Sequence, residues 1–333
     1  MNHVQNIRDP EAAMLHDEEV RDARFAGRLD GDRIFKWITL GFALTVILIL
    51  LLMTAGMAVE ALPAMKRFGW KFVSGSDWDA VQGSFGALPY IWGSIVSSAL
   101  AIVAATPLSV GTAIFITELA PRKLGGAIAS LVELLAAIPS VIYGLWGVLV
   151  MAPWLQKTVE PFLIEHFGFL PLFRGPPYGV GMLAAIFIIM IMIIPIITSI
   201  TKEVLLAVPE SQKEAAIALG ATKWEMIRMA VLPYGRSGIL GAVILGLGRA
   251  IGETMAVTMV IGNTPQISLS LLDPAYTMPS VIANEFAEAT SKLHSSALME
   301  IGLILLALTL IVNITARVLI WSVTSQQGAG GRR

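Results

Sequence analysis

The chain has 333 residues, of which 56% are hydrophobic and only 14% are charged. Because soluble globular proteins carry about 25% charged residues, this composition indicates a chain that resides in a lipid bilayer. The net charge of −1 argues against a nucleic-acid partner, and the lack of cysteine excludes disulfides, thiolate catalysis and cysteine-ligated metals.

The first 33 residues are polar and carry charges of both signs, without the basic stretch and brief apolar core of a secretory signal. Asp9-Pro10-Glu11 predicts the start of a solvated helix that runs to about Arg28. We interpret residues 1–33 as a cytoplasmic tail and residues 326–333 as a second tail, and assign no function to either.

A helix needs about 20 mostly apolar residues to cross ~30 Å of hydrocarbon. We therefore predict an all-α integral membrane protein with one transmembrane domain over 34–325. Pro107, Pro139 and Pro195 predict kinks inside three of its helices. Six stretches qualify as continuous transmembrane helices: about 37–59, 92–117, 126–152, 179–201, 238–262 and 297–321.

The basic residues predict the orientation of these helices. With the N-terminus in the cytoplasm, 16 lysines and arginines fall on the cytoplasmic side and six on the outer side. The positive-inside rule therefore predicts that both termini are cytoplasmic. Three outer segments, 60–91, 153–178 and 264–296, are rich in aromatic residues and proline, which is typical of anchoring in the headgroup layer and also fits a receptor-docking surface.

A polar cytoplasmic loop, residues 202–236, joins the fourth and fifth predicted helices. Ser211 with Glu214, and Thr222 with Glu225, each match the Ser/Thr-x-x-Glu capping box that starts a helix. Gly220 is typical of a helix end. The sequence therefore predicts two short helices separated by a turn.

We expect Pro233 to end the second of these helices. A well-folded loop without a partner is the simplest interpretation of the unit. A DNA-binding helix-turn-helix also fits the spacing, but its lysines and arginine are offset by glutamates and membrane helices flank it, so we reject it. Five residues give the unit an apolar side suited to a groove in a partner protein: Ala215, Ala216, Leu219, Trp224 and Ile227.

Arg249 and Glu253 fall near the middle of 238–262, where a charge costs about 2.5–3.5 kcal/mol on insertion scales. Their i,i+4 spacing predicts that they share one helical face. One interpretation is an ion pair that locks helix to helix. In the other, Arg249, Glu253 and Thr254 line a substrate pathway, where arginine binds an anion and glutamate accepts the proton of hydrogen phosphate and repels sulfate. We interpret the other polar residues of the predicted helices as packing or hydrogen-bonding groups: Glu133, Glu300 and Asn313.

The loop resembles the EAA loop of ATP-binding-cassette importer permeases, which in that family docks into the ATPase subunit and carries its stroke into the membrane. The resemblance rests on Glu214-Ala215-Ala216, Gly220 and Leu232-Pro233, while Ala230 stands where the family usually has isoleucine. It implies that eight residues couple the chain to an ATPase: Glu214, Ala215, Ala216, Gly220, Thr222, Trp224, Leu232 and Pro233.

From about Phe85 to Trp321 the chain is similar to the PstC-type permeases of bacterial phosphate importers. The resemblance implies a type I importer architecture, the bacterial inner membrane, and phosphate as the cargo. Another oxyanion (molybdate, sulfate or phosphonate) is the nearest alternative; a secondary transporter or channel would have no use for the EAA loop. The segments that carry the resemblance, besides the loop, are Phe85–Pro89, Ile116–Pro121, Val132–Gly144, Gly248–Ala256 and Ser280–Phe286.

The family also implies partners: a second, PstA-type permease, two PstB-type ATP-binding subunits and an external PstS-type phosphate-binding protein. Membrane lipid is the remaining expected partner. The chain has no Gly-x-x-x-x-Gly-Lys-[Ser/Thr] phosphate-binding loop. We therefore expect it to bind no cofactor and not to be an enzyme itself, with ATP and Mg used by the partner subunit.

Overall fold

A computed structural model describes residues 10–330 of the chain, with the side chains of 31–318 and Ile320. The described part is almost entirely helical. Its α-helices are α1 Pro10–Phe68, α2 Trp70–Ser74, α3 Leu88–Ile114, α4 Arg122–Ala137, α5 Ser140–Trp146, α6 Ala152–Trp154, α7 Glu160–Phe167, α8 Met182–Leu206, α9 Glu210–Ala218, α10 Lys223–Met226, α11 Leu232–Gly252, α12 Met255–Val260, α13 Met278–Glu285 and α14 Lys292–Gly330.

Short segments of other structure connect these helices. Two strands, β1 (Trp78–Asp79) and β2 (Ser84–Phe85), pair antiparallel between α2 and α3. A single turn of 3₁₀-helix covers Pro171–Phe173. Wider π-helical turns occupy Phe115–Leu119, Gly147–Met151, Leu155–Val159 and Ile227–Val231.

The contacts within the chain divide it into two units after Gly56. The first contains the N-terminal part of α1, which begins at Pro10, where the sequence predicts a helix start. The predicted end at about Arg28 is wrong, because α1 continues without interruption to Phe68. Asp9, the expected first residue of that helix, lies outside the described residues.

Five described helices are long and apolar enough to span a membrane, and a bent pair adds a sixth. The bent pair is Arg122–Ala137 and Ser140–Phe167, whose axes differ by 93°. The prediction of one continuous helix over 126–152 is therefore wrong. The five continuous ones are Gly31–Phe68, Leu88–Leu119, Met182–Leu206, Lys223–Gly252 and Lys292–Val318.

Proline causes the bend between α4 and α5. Pro139 has no N–H to donate to the Leu135 carbonyl one turn earlier, and it forces Ile138 into an extended conformation (φ −69°, ψ 128°). The Tyr143 hydroxyl replaces the missing donor, at 2.8 Å from the Leu135 carbonyl oxygen. The bend is thus held by a hydrogen bond that crosses it, and its carbonyl is not left unpaired.

The core of the second unit forms around α8, the most deeply buried of the long helices. It packs against α3 and α11, and Ile188, Ile193 and Ile197 are fully buried there. A separate cluster lies at one end, where Trp78 packs edge-on against Phe85 and Tyr90. That end contains the first of the predicted aromatic outer segments, whose Trp70 is by contrast 88% exposed.

Candidate functional site

The helix that carries Arg249 breaks at the charged pair. The prediction of a continuous helix over 238–262 is wrong, since α11 ends at Gly252 and α12 begins at Met255. Glu253 is extended between them (φ −68°, ψ 124°). The Thr254 hydroxyl donates to the Gly252 carbonyl at 3.1 Å, which occupies a carbonyl that the interrupted helix leaves without its usual partner.

The break changes the geometry that the i,i+4 spacing predicted for the charged pair. Arg249 is in the last turn of α11, whereas Glu253 is already outside the helix. Their nearest atoms, Arg249 Nη2 and Glu253 Oε2, are 4.0 Å apart, which is longer than a hydrogen bond. The pair belongs to one segment, so within this chain it does not lock one helix to another.

The two members of the pair differ in exposure. The Glu253 side chain is 9% exposed, while that of Arg249 is 43% exposed. The guanidinium therefore presents donors at a surface of the isolated chain, with a buried acceptor behind it. An anion with a proton fits this arrangement, because the guanidinium can donate to its oxygens while the carboxylate accepts its proton.

The break in α11 faces the bend of the other interrupted helix. α12 packs against α5, and a Cβ on Gly144 would lie 3.0 Å from the Ala256 Cα. Two discontinuous helices thus pack against each other, an arrangement that membrane transporters use to form substrate sites.

The loop between α8 and α11 contains the second candidate site. α9 ends at Ala218, and Gly220 takes the left-handed conformation (φ +86°) that follows many helix ends, as predicted. The predicted capping box of Thr222 and Glu225 is confirmed. The Glu225 backbone N–H donates to Thr222 Oγ1 at 3.3 Å, and the Thr222 N–H donates to Glu225 Oε2 at 2.8 Å.

Two predictions about this loop are wrong. Ser211 does not cap α9, because Pro209 is the N-cap residue and the helix begins at Glu210. Ser211 is therefore already helical, and a capping side chain needs a residue outside the helix. Pro233 does not end the second helix, since Lys223–Gly252 forms one continuous helical element. The π-helical turn Ile227–Val231 ends two residues before Pro233, so Pro233 lies in the first turn of the α-helical stretch that starts at Leu232, where a proline is tolerated.

The predicted apolar side divides into two faces. Ile227 is fully buried and Ala216 is half-buried against the same cluster, so both pack inside the chain. Leu219 and Trp224 are 90% and 62% exposed. Of the remaining residues assigned to ATPase coupling, Leu232 is half-buried and the others are exposed: Glu214, Ala215, Gly220, Thr222 and Pro233.

The structure adds two residues that the sequence reasoning missed. Lys213 points inward from α9, and its Nζ lies 2.9 Å from Glu118 Oε1 and 3.2 Å from Glu210 Oε1. Lys213 and Glu118 are only 10% and 7% exposed. Glu118 belongs to the segment Ile116–Pro121, but no local pattern shows that it reaches a lysine in a distant loop.

Burial lowers the pKa of Lys213, but its hydrogen bonds to Glu118 and Glu210 outweigh this effect and raise the pKa above the ordinary lysine value. Lys213 is therefore charged at any physiological pH. The Thr222 backbone and hydroxyl groups lower the pKa of Glu225 below its ordinary range, which keeps the capping carboxylate ionised.

The other polar residues of the spans have different surroundings. Glu133 accepts a hydrogen bond from Lys202 Nζ at 3.1 Å, as expected for a hydrogen-bonding group. Glu300 is 7% exposed, and its Oε2 has no hydrogen-bond partner among the described residues. It lines an apolar groove of about 670 Å³ with Trp70. Asn313 is half-buried.

Comparison with known proteins shows that the chain is similar to one family of membrane transport proteins. Residues 105–324 match the family model described as the binding-protein-dependent transport system inner membrane component. The chain is 47% identical over 302 residues to the phosphate transport system permease protein PstC of Mesorhizobium japonicum, covering 90% of this chain and 92% of the relative. It is 44% identical over 299 residues to PstC of Pasteurella multocida, covering 89% and 93%.

Solved structures show the same fold at lower sequence identity. A chain of a bacterial alginate ABC transporter, crystallised with its alginate-bound periplasmic protein, aligns with a TM-score of 0.58 and 17% identity. The alignment covers 84% of this chain and 92% of that chain. A likeness at this identity concerns the fold alone.

Proposed function

The chain belongs to the family of binding-protein-dependent transport system inner membrane components, and we propose that it is the permease of an ATP-driven importer of inorganic phosphate. The observation that carries this proposal is the 47% identity to a phosphate transport permease over 90% of the chain. The chain is an integral protein of the inner membrane. It works with an ATPase and a substrate-binding protein, as permeases of this class do.

The finer assignment of partners follows from the PstC-type resemblance. The second permease would be of the PstA type, the two ATP-binding subunits of the PstB type, and the external binding protein of the PstS type. This chain would bind no cofactor and would not hydrolyse ATP itself. ATP and Mg would act in the ATPase subunit, because this sequence contains no phosphate-binding loop of the P-loop kind.

The proposed orientation has both termini in the cytoplasm, as the distribution of basic residues favours. The helical loop from α9 to α10 is then on the side where ATP is hydrolysed. Leu219 and Trp224 are exposed apolar groups on a short two-helix unit, and such groups bind well in a hydrophobic groove. We assign the ATPase contact to this exposed face, with Glu214, Ala215, Gly220, Thr222 and Pro233 around it.

Arg249, Glu253 and Thr254 form the proposed site that phosphate passes in the membrane. Arg249 offers several N–H donors in a fixed plane, which match the oxygens of a tetrahedral anion. A glutamate carboxylate only accepts hydrogen bonds, so Glu253 favours an anion that still has a proton. The negative charge behind the guanidinium also weakens binding, which suits a site that its cargo must leave.

Uptake by proteoliposomes tests the proposed function. The purified complex of all four subunit types is reconstituted with ATP inside the compartment that corresponds to the cytoplasm, and labelled phosphate uptake is followed against excess sulfate or molybdate. We expect ATP-dependent phosphate uptake that neither competitor reduces. Uptake of sulfate or molybdate in preference to phosphate would assign the chain to another oxyanion.

A further inference from the structure

An ion pair connects the loop to the membrane helices, and neither of its two residues is among the eight assigned to ATPase coupling. Lys213 is on α9, and Glu118 is in the π-helical turn Phe115–Leu119 that ends the α3 span. The nitrogen and oxygen are 2.9 Å apart, a close distance for an ion pair. Lysine is rarely buried unless it is paired, and this one is 10% exposed.

The two helices of the loop are attached to the rest of the chain in different ways. Met226 and Ile227, in the second helix, are buried in an apolar cluster with Ala113 and Ile114 of α3. α9 contributes to this cluster only through the small, half-buried Ala216 among the described residues. The Lys213–Glu118 pair is thus a charged contact between α9 and the end of the α3 span, in addition to the packing of α9 on the π-helical turn Ile227–Val231.

Glu210 also contacts the ammonium group of Lys213 and helps to fix its position. Its Oε1 lies 3.2 Å from the Lys213 Nζ, so the ammonium bridges one carboxylate on its own helix and one on the α3 span. The Glu210 side chain is 77% exposed and Glu118 is 7% exposed. The bridge therefore reaches from the surface of the loop into the interior at the end of α3.

We propose that Lys213 and Glu118 are positioning residues that transmit the movement of α9 to the second transmembrane helix, α3. This inference rests on the proposed docking of an ATPase at the loop. An ATPase that holds the exposed face of α9 moves the helix as a body, and the buried ion pair makes α3 follow it. Because α3 packs on both α8 and α11, this movement reaches the helix that carries Arg249.

The pair differs from the docking residues in the defect that its loss produces. Without Lys213, the exposed face around Leu219 and Trp224 remains, so the ATPase still binds and still hydrolyses ATP. Movement of α9 is then no longer passed to α3. The expected defect is uncoupling, in which ATP is consumed and little phosphate is moved.

The test measures phosphate uptake and ATP hydrolysis in the reconstituted complex for three variants. In Lys213→Met we expect ATP hydrolysis to stay near the normal rate and the phosphate moved per ATP to fall about 5- to 100-fold, the range of typical coupling between sites. The exchange Lys213→Glu with Glu118→Lys restores the pair with reversed charges, Glu210→Gln is added because the Glu210 carboxylate lies 3.2 Å from the Lys213 Nζ and would repel the new one, and we expect this exchange to recover most of the ratio. Lys123→Met, an exposed lysine outside the loop, is the matched control and keeps the normal ratio.

The outcomes separate this inference from the proposed function. If the unaltered complex neither contains an ATPase nor moves phosphate, the proposed function is wrong. If the unaltered complex couples and Lys213→Met has the same ratio of phosphate to ATP, only the role of the pair is overturned. The Lys213→Met complex can also fail to assemble. If the charge-reversed exchange then does not recover the ratio of phosphate to ATP, the role of the pair is overturned as well, because the ion pair has been restored without restoring coupling.

Discussion

Replacing Glu253 by glutamine tests the proposed selectivity of the membrane site. Glutamine has nearly the same shape and can still accept a hydrogen bond from the hydroxyl of phosphate, but it has no charge to repel sulfate. Arg249 stays in place with its donors. We therefore expect Glu253→Gln to keep phosphate binding within a few-fold and to strengthen sulfate binding.

The size of this effect follows from Coulomb's law. For an anion held by the guanidinium at about 5 Å from the Glu253 carboxylate, one unit charge interacts by about 3 kcal/mol at an effective dielectric constant of about 20. Arg249 is 43% exposed, so solvent screening reduces this to about 1–2 kcal/mol. Since 1.4 kcal/mol is a factor of ten, sulfate should compete about 5- to 30-fold better in the variant.

The assay is equilibrium binding of labelled phosphate to the purified complex without the external binding protein, which would otherwise impose its own selectivity. Unlabelled sulfate is the competitor. Glu288→Gln, an exposed carboxylate remote in sequence from the site, is the control and should leave competition unchanged. Equal sulfate competition in Glu253→Gln and the unaltered chain, with phosphate still bound, would refute the role given to this carboxylate.

Three further variants test other parts of the account. Thr222→Ala removes the capping bond from the Glu225 N–H to Thr222 Oγ1, while the backbone N–H of residue 222 can still donate to Glu225 Oε2, and it should destabilise the loop helix by about 1 kcal/mol, seen as lower amide-exchange protection over 222–226. The Thr222 backbone and hydroxyl groups depress the pKa of Glu225 in the unaltered chain, so the box keeps its stability above the ordinary glutamate pKa and loses it as the pH falls through the lowered pKa. The protection factors, which are corrected for the intrinsic pH dependence of exchange, should therefore not change between pH 6 and 8. Tyr143→Phe leaves the Leu135 carbonyl with only the Ile138 N–H as a donor, at 3.3 Å, and should lower the free energy of unfolding by about 1 kcal/mol. An unchanged melting temperature would refute the role of the Tyr143 hydroxyl at the bend. Glu300→Gln neutralises a buried carboxylate whose Oε2 lacks a hydrogen-bond partner within the part of the chain that the structure describes, and it should raise the melting temperature. A fall would show that the carboxylate has a partner in the assembled complex.

The sequence predicts most of the helices because long apolar stretches leave few alternatives in a membrane. It also predicts the turn of the loop, since Gly220 and the Thr222 box are local signals whose hydrogen bonds stay within a few residues. Ser211 shows the limit of such signals. The same Ser-x-x-Glu pattern is present there, but the N-cap is Pro209, two residues earlier, so Ser211 already lies inside the helix.

The sequence predicts one of the two breaks in the membrane helices better than the other. Pro139 predicts a kink, but not a bend of 93°, which depends on Tyr143 to pair the freed carbonyl. The break at Glu253 has no proline, and its apolar surroundings look like an uninterrupted helix. The break lies at the extended backbone of Glu253, between the end of α11 and the start of α12.

The Lys213–Glu118 pair could not be predicted because it depends on tertiary structure alone. Each residue has an ordinary local interpretation, Lys213 as a solvated loop lysine and Glu118 as a charge at a helix end. Only the fold of α9 against the end of α3 brings them to 2.9 Å.

Cross-linking at the loop tests most directly whether ATP energy enters the chain there. The native sequence has no cysteine, so Leu219→Cys places a single thiol on the exposed face of the loop, and Trp70→Cys places one at an exposed position on the predicted outer side. In inner-membrane vesicles treated with a short bifunctional reagent, the account predicts a cross-link between the cysteine at 219 and the ATPase subunit, and none from the cysteine at 70. An ATPase cross-link from 70, or none from 219 in vesicles that transport phosphate, would contradict it.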